Sequence, residues 1–412
     1  MERNKGITLV ALIITIVVML ILVAVSVNIL IKSNLLGTAE KTVNKYKIAS
    51  EEEGNNGVIE IDGKKYNSIE DYMKEKKGEK EEKLPDIKAG ERATANSNYN
   101  GAVIPKGFTV SGISTEQKVD NGLVIYDIPE GTTPDWSNPD SVKTKYNQFV
   151  WIPVEVKSTD KENSITDYTE PYSYDTTNNY DQTTGIAGQI TELTKSIYKY
   201  GGFYIGRYEA GSKTPRTSSS GVTEIGIKQD MYPYIYVKWG DSMSSIGTTG
   251  AVYLSNSLYN TNEYGATSML CTGACWDSML DFIKDSSHNV TSSNSWGNYY
   301  DSDTYKVYRG SLYSNSTWAR ADTTNGSDVT KDTDILLTTG ATERNSSKNI
   351  YDVAGNCFEW TTEAYKNCYR VVRGGYYSCT GSYFPVHGRL GTNPAVHNDF
   401  FGSFRPLLYV AL

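Results

Sequence analysis

The sequence predicts an α+β domain with much irregular backbone, preceded by one long apolar helix. Three observations carry this expectation. Short apolar runs such as FVWIPVEV and GGFYIGRYE are separated by Gly, Ser, Asn and Thr, a texture of strands and turns. The clearest helical periods of the domain lie at 191–199 and 276–284, with long polar stretches at 158–190 and 286–332. A run without charge from Ile7 to Ile31 opens the chain.

The 412 residues allow two or three domains, or one large irregular domain with accessories. An apolar share of 38% with seven Trp supplies a core, while 32 Tyr and 36 Gly point to a surface rich in aromatics and loops. The net charge of −8 excludes the basic footprint of a nucleic-acid binder. Three His (His288, His387, His397) restrict metal and acid–base chemistry, and the five Cys form no Cys-x-x-Cys pair. Cys271 and Cys275 stand four apart in a helical stretch, where a disulfide or two buried free thiols would fit.

At the N-terminus, Glu2, Arg3 and Lys5 precede the apolar run. Twenty-five helical residues rise about 37 Å, enough to span a bilayer with some tilt. Arg3 and Lys5 favour a cytoplasmic N-terminus, which places the rest of the chain outside. The segment lacks the short core and Ala-x-Ala site of a secretory signal. It resembles the leader and N-terminal helix of type IV pilins, which implies prepilin-peptidase cleavage between Gly6 and Ile7 and a helix over 7–50 that can pack with other pilins. Most major pilins carry Glu at the fifth mature position, and Ala11 stands there here. A minor or tip subunit, a pilin-like protein that never polymerises and a plain anchor are therefore the readings to separate.

Residues 51–95 read as a stalk. VIEIDGKKY alternates around Asp62-Gly63, a hairpin signal, and Ser68 to Asp71 read as a capping box. The mixed charges from Lys74 to Arg92 read as a solvated spacer. Strands are expected in AVIPKGFTV, GLVIYDI, FVWIPVEV, GGFYIGRYE and YIYVKW.

NQFVWIPVEV, GGFYIGRYEA, NIYDVAGNCFEW and VVRGGYY occur in an order that resembles the formylglycine-generating-enzyme (sulfatase-modifying factor) family over residues 96–412. The resemblance implies an elaborated C-type-lectin-like fold. Trp360 supplies apolar area, Gly374 and Gly375 permit tight turns, and Arg373 and Arg405 bracket the segment between them, a scaffold role. The family's enzymes oxidise a substrate Cys with two copper-binding Cys. The first falls on Cys379 and the second on Phe384, so a soft-metal pair is lacking and catalysis is not expected. The resemblance also implies a structural Ca2+ site, which Gly355, Cys357 and Glu359 would supply. Glu359 would equally serve as a buried hydrogen-bond acceptor.

From Tyr376 to Ser403 there is no Lys, Glu, Gln, Met or Trp. The residues present are those reached by changing adenines in the Asn codons AAC and AAT. That alphabet resembles the signature of diversity-generating retroelements, whose targets include lectin-like domains with a C-terminal variable region. The variable region would be 376–401. Its candidate ligand-binding positions are Tyr376, Ser378, Cys379, Tyr383, Phe384, His387, Gly388, Gly391, His397, Asn398, Asp399, Phe400 and Phe401. Tyr377 is expected to point into the core. The competing reading is an ordinary C-terminus with loop drift.

The sequence thus leads to a bacterial cell-surface, pilin-like display protein that binds a protein or glycan on another cell, a phage or a host surface. A formylglycine-type oxidoreductase and a purely structural minor pilin are the alternatives.

Overall fold

The structure, a computed structural model, describes residues 59–61, 64–66, 83–154, 186–219, 221, 223–242, 245–259, 263–365, 369–393 and 402–412. The leader with Gly6 and Ile7, Ala11, the apolar run and the capping box lie outside the described residues. So do His397, Asn398, Asp399, Phe400 and Phe401. Among the described residues no helix is long and apolar enough to cross a membrane. The chain divides into two compact units, 1–81 and 82–412. In the first, Ile59–Ile61 pairs antiparallel with Lys64–Tyr66 around Asp62-Gly63.

The second unit is α+β and mostly strand. Its central sheet is antiparallel throughout, in the order Ala266–Leu270, Pro406–Val410, Gly202–Gly206, Gln148–Pro153, Val124–Tyr126, Thr109–Val110. The C-terminal strand is therefore interior to the sheet. Side chains alternate between two cores, as the two-residue period of a strand requires. Val150, Ile152, Phe203, Ile205 and Leu407 enter one core, against Leu193 and Ile197 of the Ile186–Tyr200 helix and Trp276, Met279 and Leu280 of the Gly273–Ile283 helix. Phe149, Trp151, Tyr204 and Leu408 enter the other, against Trp239, Val252, Trp360 and Phe404. Burial on both faces explains why these strands read as unbroken apolar runs rather than alternating ones.

A second sheet runs Leu390–Thr392, Tyr369–Arg373, Phe358–Tyr365, Gly402–Phe404, with only the last pair parallel. Its strands flank the patternless C-terminal stretch on both sides, so that stretch departs from and returns to one platform.

Two expectations need correction. YIYVKW is not a strand: the two-residue strand Tyr232–Pro233 ends just before it, and Tyr236 adopts a left-handed φ of 56°. Tyr234, Ile235, Val237 and Trp239 are buried by packing, with Trp239 Nε1 donating to the Thr361 carbonyl at 2.9 Å. The stretch 286–332 is not all loop, because it holds Tyr305–Val307 paired with Ser327–Val329 and Ser311–Ser314 paired with Thr317–Arg320. The latter hairpin turns through Asn315 and Ser316, both left-handed.

NIYDVAGNCFEW is scaffold. Asn349, Asp352, Gly355 and Asn356 all have positive φ (65°, 57°, 75° and 61°), a region where Asn, Asp and Gly are the residues most tolerated. Asn356, fully buried, donates to Glu209 Oε1 at 2.5 Å and accepts from Leu337 N at 3.0 Å and Asn298 Nδ2 at 2.9 Å.

Asp352 is fully buried, and Gly340 N donates to its Oδ2 at 2.6 Å. Burial pushes its carboxyl up to about 7, against the Gly340 hydrogen bond and the Arg405 charge. A pKa raised by folding means that Asp352 stabilises fully below about pH 4 and loses that contribution as pH rises through 7. Stability of the wild type relative to Asp352→Asn should therefore fall as pH rises from about 4 towards neutrality. Denaturant unfolding across pH checks it, and a flat difference would refute it.

Candidate functional site

Residues 374–389 form an excursion between Tyr369–Arg373 and Leu390–Thr392, which are antiparallel neighbours. The two ends of the excursion carry arginines that converge on the same two acids. Arg373 donates to Asp277 Oδ1 at 2.6 Å and to Glu363 Oε1 at 3.0 Å. Arg389 donates to that Glu363 oxygen at 3.1 Å and to Asp277 Oδ2. All four side chains are buried. Asp277 comes from the Gly273–Ile283 helix and Glu363 from the Phe358–Tyr365 strand, so helix, sheet and excursion meet at one charge cluster. Gly273 makes this approach feasible, because a Cβ there would collide with the Glu363 carboxylate.

The excursion's backbone is held by other parts of the chain. Tyr299 Oη donates to the Gly374 carbonyl at 2.7 Å, and Tyr300 N to the Cys379 carbonyl at 2.9 Å. Gly381 N donates to Asp301 Oδ1 at 2.8 Å, and Val386 N to Ser293 Oγ at 3.0 Å. Trp276 Nε1 reaches the Val386 carbonyl at 3.1 Å, and Arg373 Nη2 the His387 carbonyl at 3.1 Å. Gly374 and Gly375 have φ of 93° and 76°, and a Cβ on Gly375 would strike the Phe384 carbonyl and the Tyr299 ring. Most of the clamp is therefore residues 293–301 gripping main-chain atoms.

The proposed binding positions divide in two. Tyr376, Ser378, Phe384, His387, Gly388 and Gly391 are partly exposed, and Tyr383 is 76% exposed. Tyr383 is the most exposed large apolar side chain among the described residues. Cys379 differs: it is buried, its Sγ donates to the Tyr376 carbonyl at 3.1 Å, and Tyr376 N donates back to Sγ at 3.3 Å. It closes a turn and presents nothing to solvent. Burial pushes its thiol up to about 12, so it stays protonated at neutral pH. Tyr377 is buried, beside Ile235, Leu336 and Cys357. Burial lowers the His387 pKa, and His387 Nδ1 lies 2.8 Å from the Val290 carbonyl. Cys271, Cys275 and Cys357 are free and buried like Cys379.

The exposed rings connect. Tyr383 and Phe384 stand 4.6 Å apart, Phe384 and Phe358 5.5 Å, and Phe358 and Tyr376 5.0 Å. Tyr376, Tyr236, Tyr313 and Trp318 pack against the Tyr377 cluster, and Trp318 meets Tyr232 at 4.9 Å. Phe358, Tyr236, Tyr313 and Trp318 were not legible as site residues. Alternation with the fully buried Glu359 would have exposed Phe358. The other three reach the face only through tertiary packing.

Trp360 and Arg405 are both buried and hydrogen-bonded. Trp360 Nε1 donates to the Val237 carbonyl at 3.0 Å. Arg405, fully buried, donates to both Glu359 oxygens and to the carbonyls of Gly206 and Tyr351 at 2.9 Å each. The residues do not fit the calcium ion expected at Gly355, Cys357 and Glu359, because the guanidinium occupies the only carboxylate of that set.

No family model and no curated protein matches the chain. Among solved structures it is similar to Treponema denticola variable protein 1, with 17% identity over 34% of this chain and 47% of that chain, at a TM-score of 0.20. The chain thus spans about half the length of that protein, and a likeness of this strength carries no structural argument.

Removing one partner of a buried ion cluster leaves uncompensated charge, at a cost of about 3–5 kcal/mol. Asp277→Ala should lower unfolding free energy by that amount and speed amide exchange across 374–388. Unchanged exchange there would mean that the arginines do not anchor the excursion.

Proposed function

We propose that this chain is a surface-displayed, non-catalytic binding protein whose ligand is met by the aromatic face built on residues 376–384. The observation that carries this reading is Tyr383, 76% exposed at the end of a contiguous series of rings. The excursion that carries it is gripped at Gly374, Cys379, Gly381 and Val386 by residues outside the face. Clustered aromatics on a fixed frame are the usual energetic anchors of recognition surfaces. A frame gripped through main-chain atoms also tolerates exchange of the side chains it displays, which suits a diversified segment. The fold of 96–412 is read as C-type-lectin-like, displayed outside a bacterial cell by a membrane or pilus helix over 7–50. Many copies would compensate for weak single contacts.

The oxidoreductase alternative loses support from the same residues. Cys379 is a buried, protonated thiol, and Phe384 stands where its partner would be.

Two measurements test the reading. The full chain displayed on cells, screened against glycan and protein arrays, should give hits that weaken about 30-fold in Tyr383→Ala, the scale of a binding hot spot. Hits indifferent to Tyr383→Ala and Phe384→Ala would remove the face as the binding site. In the gene, codons for the variable positions of 376–401 should end in C or T, with a near-identical repeat nearby differing mainly at adenines. A locus with no such repeat would end the diversification part.

A further inference from the structure

We propose that the binding face takes an extended polypeptide, one strand of which adds to the free edge of Thr317–Arg320 beside the rings. This rests on the binding-face reading above and adds the chemistry of the occupant, a peptide main chain rather than a glycan.

The register of the hairpin formed by Ser311–Ser314 and Thr317–Arg320 decides which main-chain groups are spare. Its two-residue turn, Asn315 and Ser316, sets Ser314 opposite Thr317, Tyr313 opposite Trp318 and Ser311 opposite Arg320. Ala321 N donates to the Gly310 carbonyl at 3.0 Å, so by alternation Leu312 and Ala319 are the next bonded pair. Trp318 and Arg320 therefore turn their N–H and C=O groups away from the hairpin. Ser311 obeys the same alternation: its carbonyl points to the other side of the sheet, where Thr338 N donates to it at 3.0 Å. Thr317–Arg320 is the outer strand of this sheet, and no strand among the described residues pairs with its outer side. Thr317, Ala319 and Arg320 are exposed.

The edges of the central sheet are covered instead. Val110 at one edge accepts from Gly90 N at 2.9 Å and donates to the Glu91 carbonyl at 3.1 Å. At the other edge Ser268 N donates to the Tyr259 carbonyl at 3.3 Å. Folded chains cover or charge their edges to prevent pairing. Thr317–Arg320 contains no Pro or Lys, and its one charge is drawn aside, Arg320 donating to both oxygens of Asp230 at 2.9 and 2.7 Å.

Trp318 joins this edge to the face. It packs with Tyr376 against the Tyr377 cluster, and its ring meets Tyr232 at 4.9 Å and Tyr313 at 5.3 Å. A strand laid along the edge puts every second side chain on that ring side. Main-chain bonds then hold a ligand of any sequence, while the rings of 376–384 select among its side chains. This division suits a face with exchangeable residues, because the hairpin lies outside 376–401 and keeps the docking register constant. A glycan has no alternating amides and carbonyls to match such an edge.

The experiment selects phage-displayed random dodecapeptides on the detergent-solubilised full chain and resynthesises the binders. Methylating one alternate set of a binder's backbone amides should abolish binding, and methylating the other set should leave it, as pairing along one edge requires. Arg320→Pro removes an outward N–H at an edge position where Pro is tolerated, and should weaken binding about tenfold. Arg320→Ala, which removes the guanidinium but keeps the N–H, should bind as the wild type does. Failure to select any peptide, equal effects of the two methylation sets, or equal binding by Arg320→Pro would overturn the proposal. If binding falls with Tyr383→Ala yet survives Arg320→Pro, the face binds and only the edge pairing fails. If Arg320→Pro weakens binding while Tyr383→Ala and Phe384→Ala do not, the edge binds and the aromatic-face reading fails.

Discussion

The fully packed charge cluster of Arg373, Arg389, Asp277 and Glu363 is the constraint on which the C-terminal part of this domain depends. Its components come from the Gly273–Ile283 helix, the Phe358–Tyr365 strand and both ends of the irregular excursion. Taking such charges out of water costs several kcal/mol per ion, and only close pairing with full hydrogen bonding offsets that. The geometry therefore has little freedom: moving either end of the excursion would strand a guanidinium in the core. A loop of patternless sequence acquires one conformation because its ends have no other low-energy place to go.

Between those ends the same logic operates with neutral groups. Main-chain carbonyls and amides of 374–388 are satisfied by Tyr299, Tyr300, Asp301, Ser293 and Trp276, as buried polar groups must be. Few of the excursion's own exposed side chains are needed for its shape. That separation of frame from display is what lets rings such as Tyr383 and Phe384 remain available for contact. It also limits the entropy lost on binding, since little backbone remains to be ordered.

A parallel device holds the C-terminal strand. Arg405 joins Glu359 to carbonyls on two other segments just before the chain enters the middle of the central sheet. Glu359 is thereby an acceptor for an arginine rather than for a cation. The four left-handed residues of NIYDVAGN shape the turn that leads to it. Stability, site placement and the route of the C-terminus are consequently linked through arginines at interior positions.

Much of this was legible from residue order. The apolar runs located most strands of the central sheet, and Asp62-Gly63 its own hairpin, because strand and turn preferences act over a few residues. Bracketing arginines and paired glycines marked the borders of the excursion for the same local reason. The display of Tyr383 and the burial of Cys379 were not separable in sequence, since both lie in a stretch without period and burial there follows from neighbours far along the chain. YIYVKW failed as a strand because its large side chains are buried by tertiary packing rather than by pairing. The sequence by itself determined the elements and the edges of the candidate surface. Only the tertiary structure decided which rings meet and that Phe358, Tyr313, Trp318 and Tyr236 join them, because contacts between distant segments are set by packing and charge satisfaction.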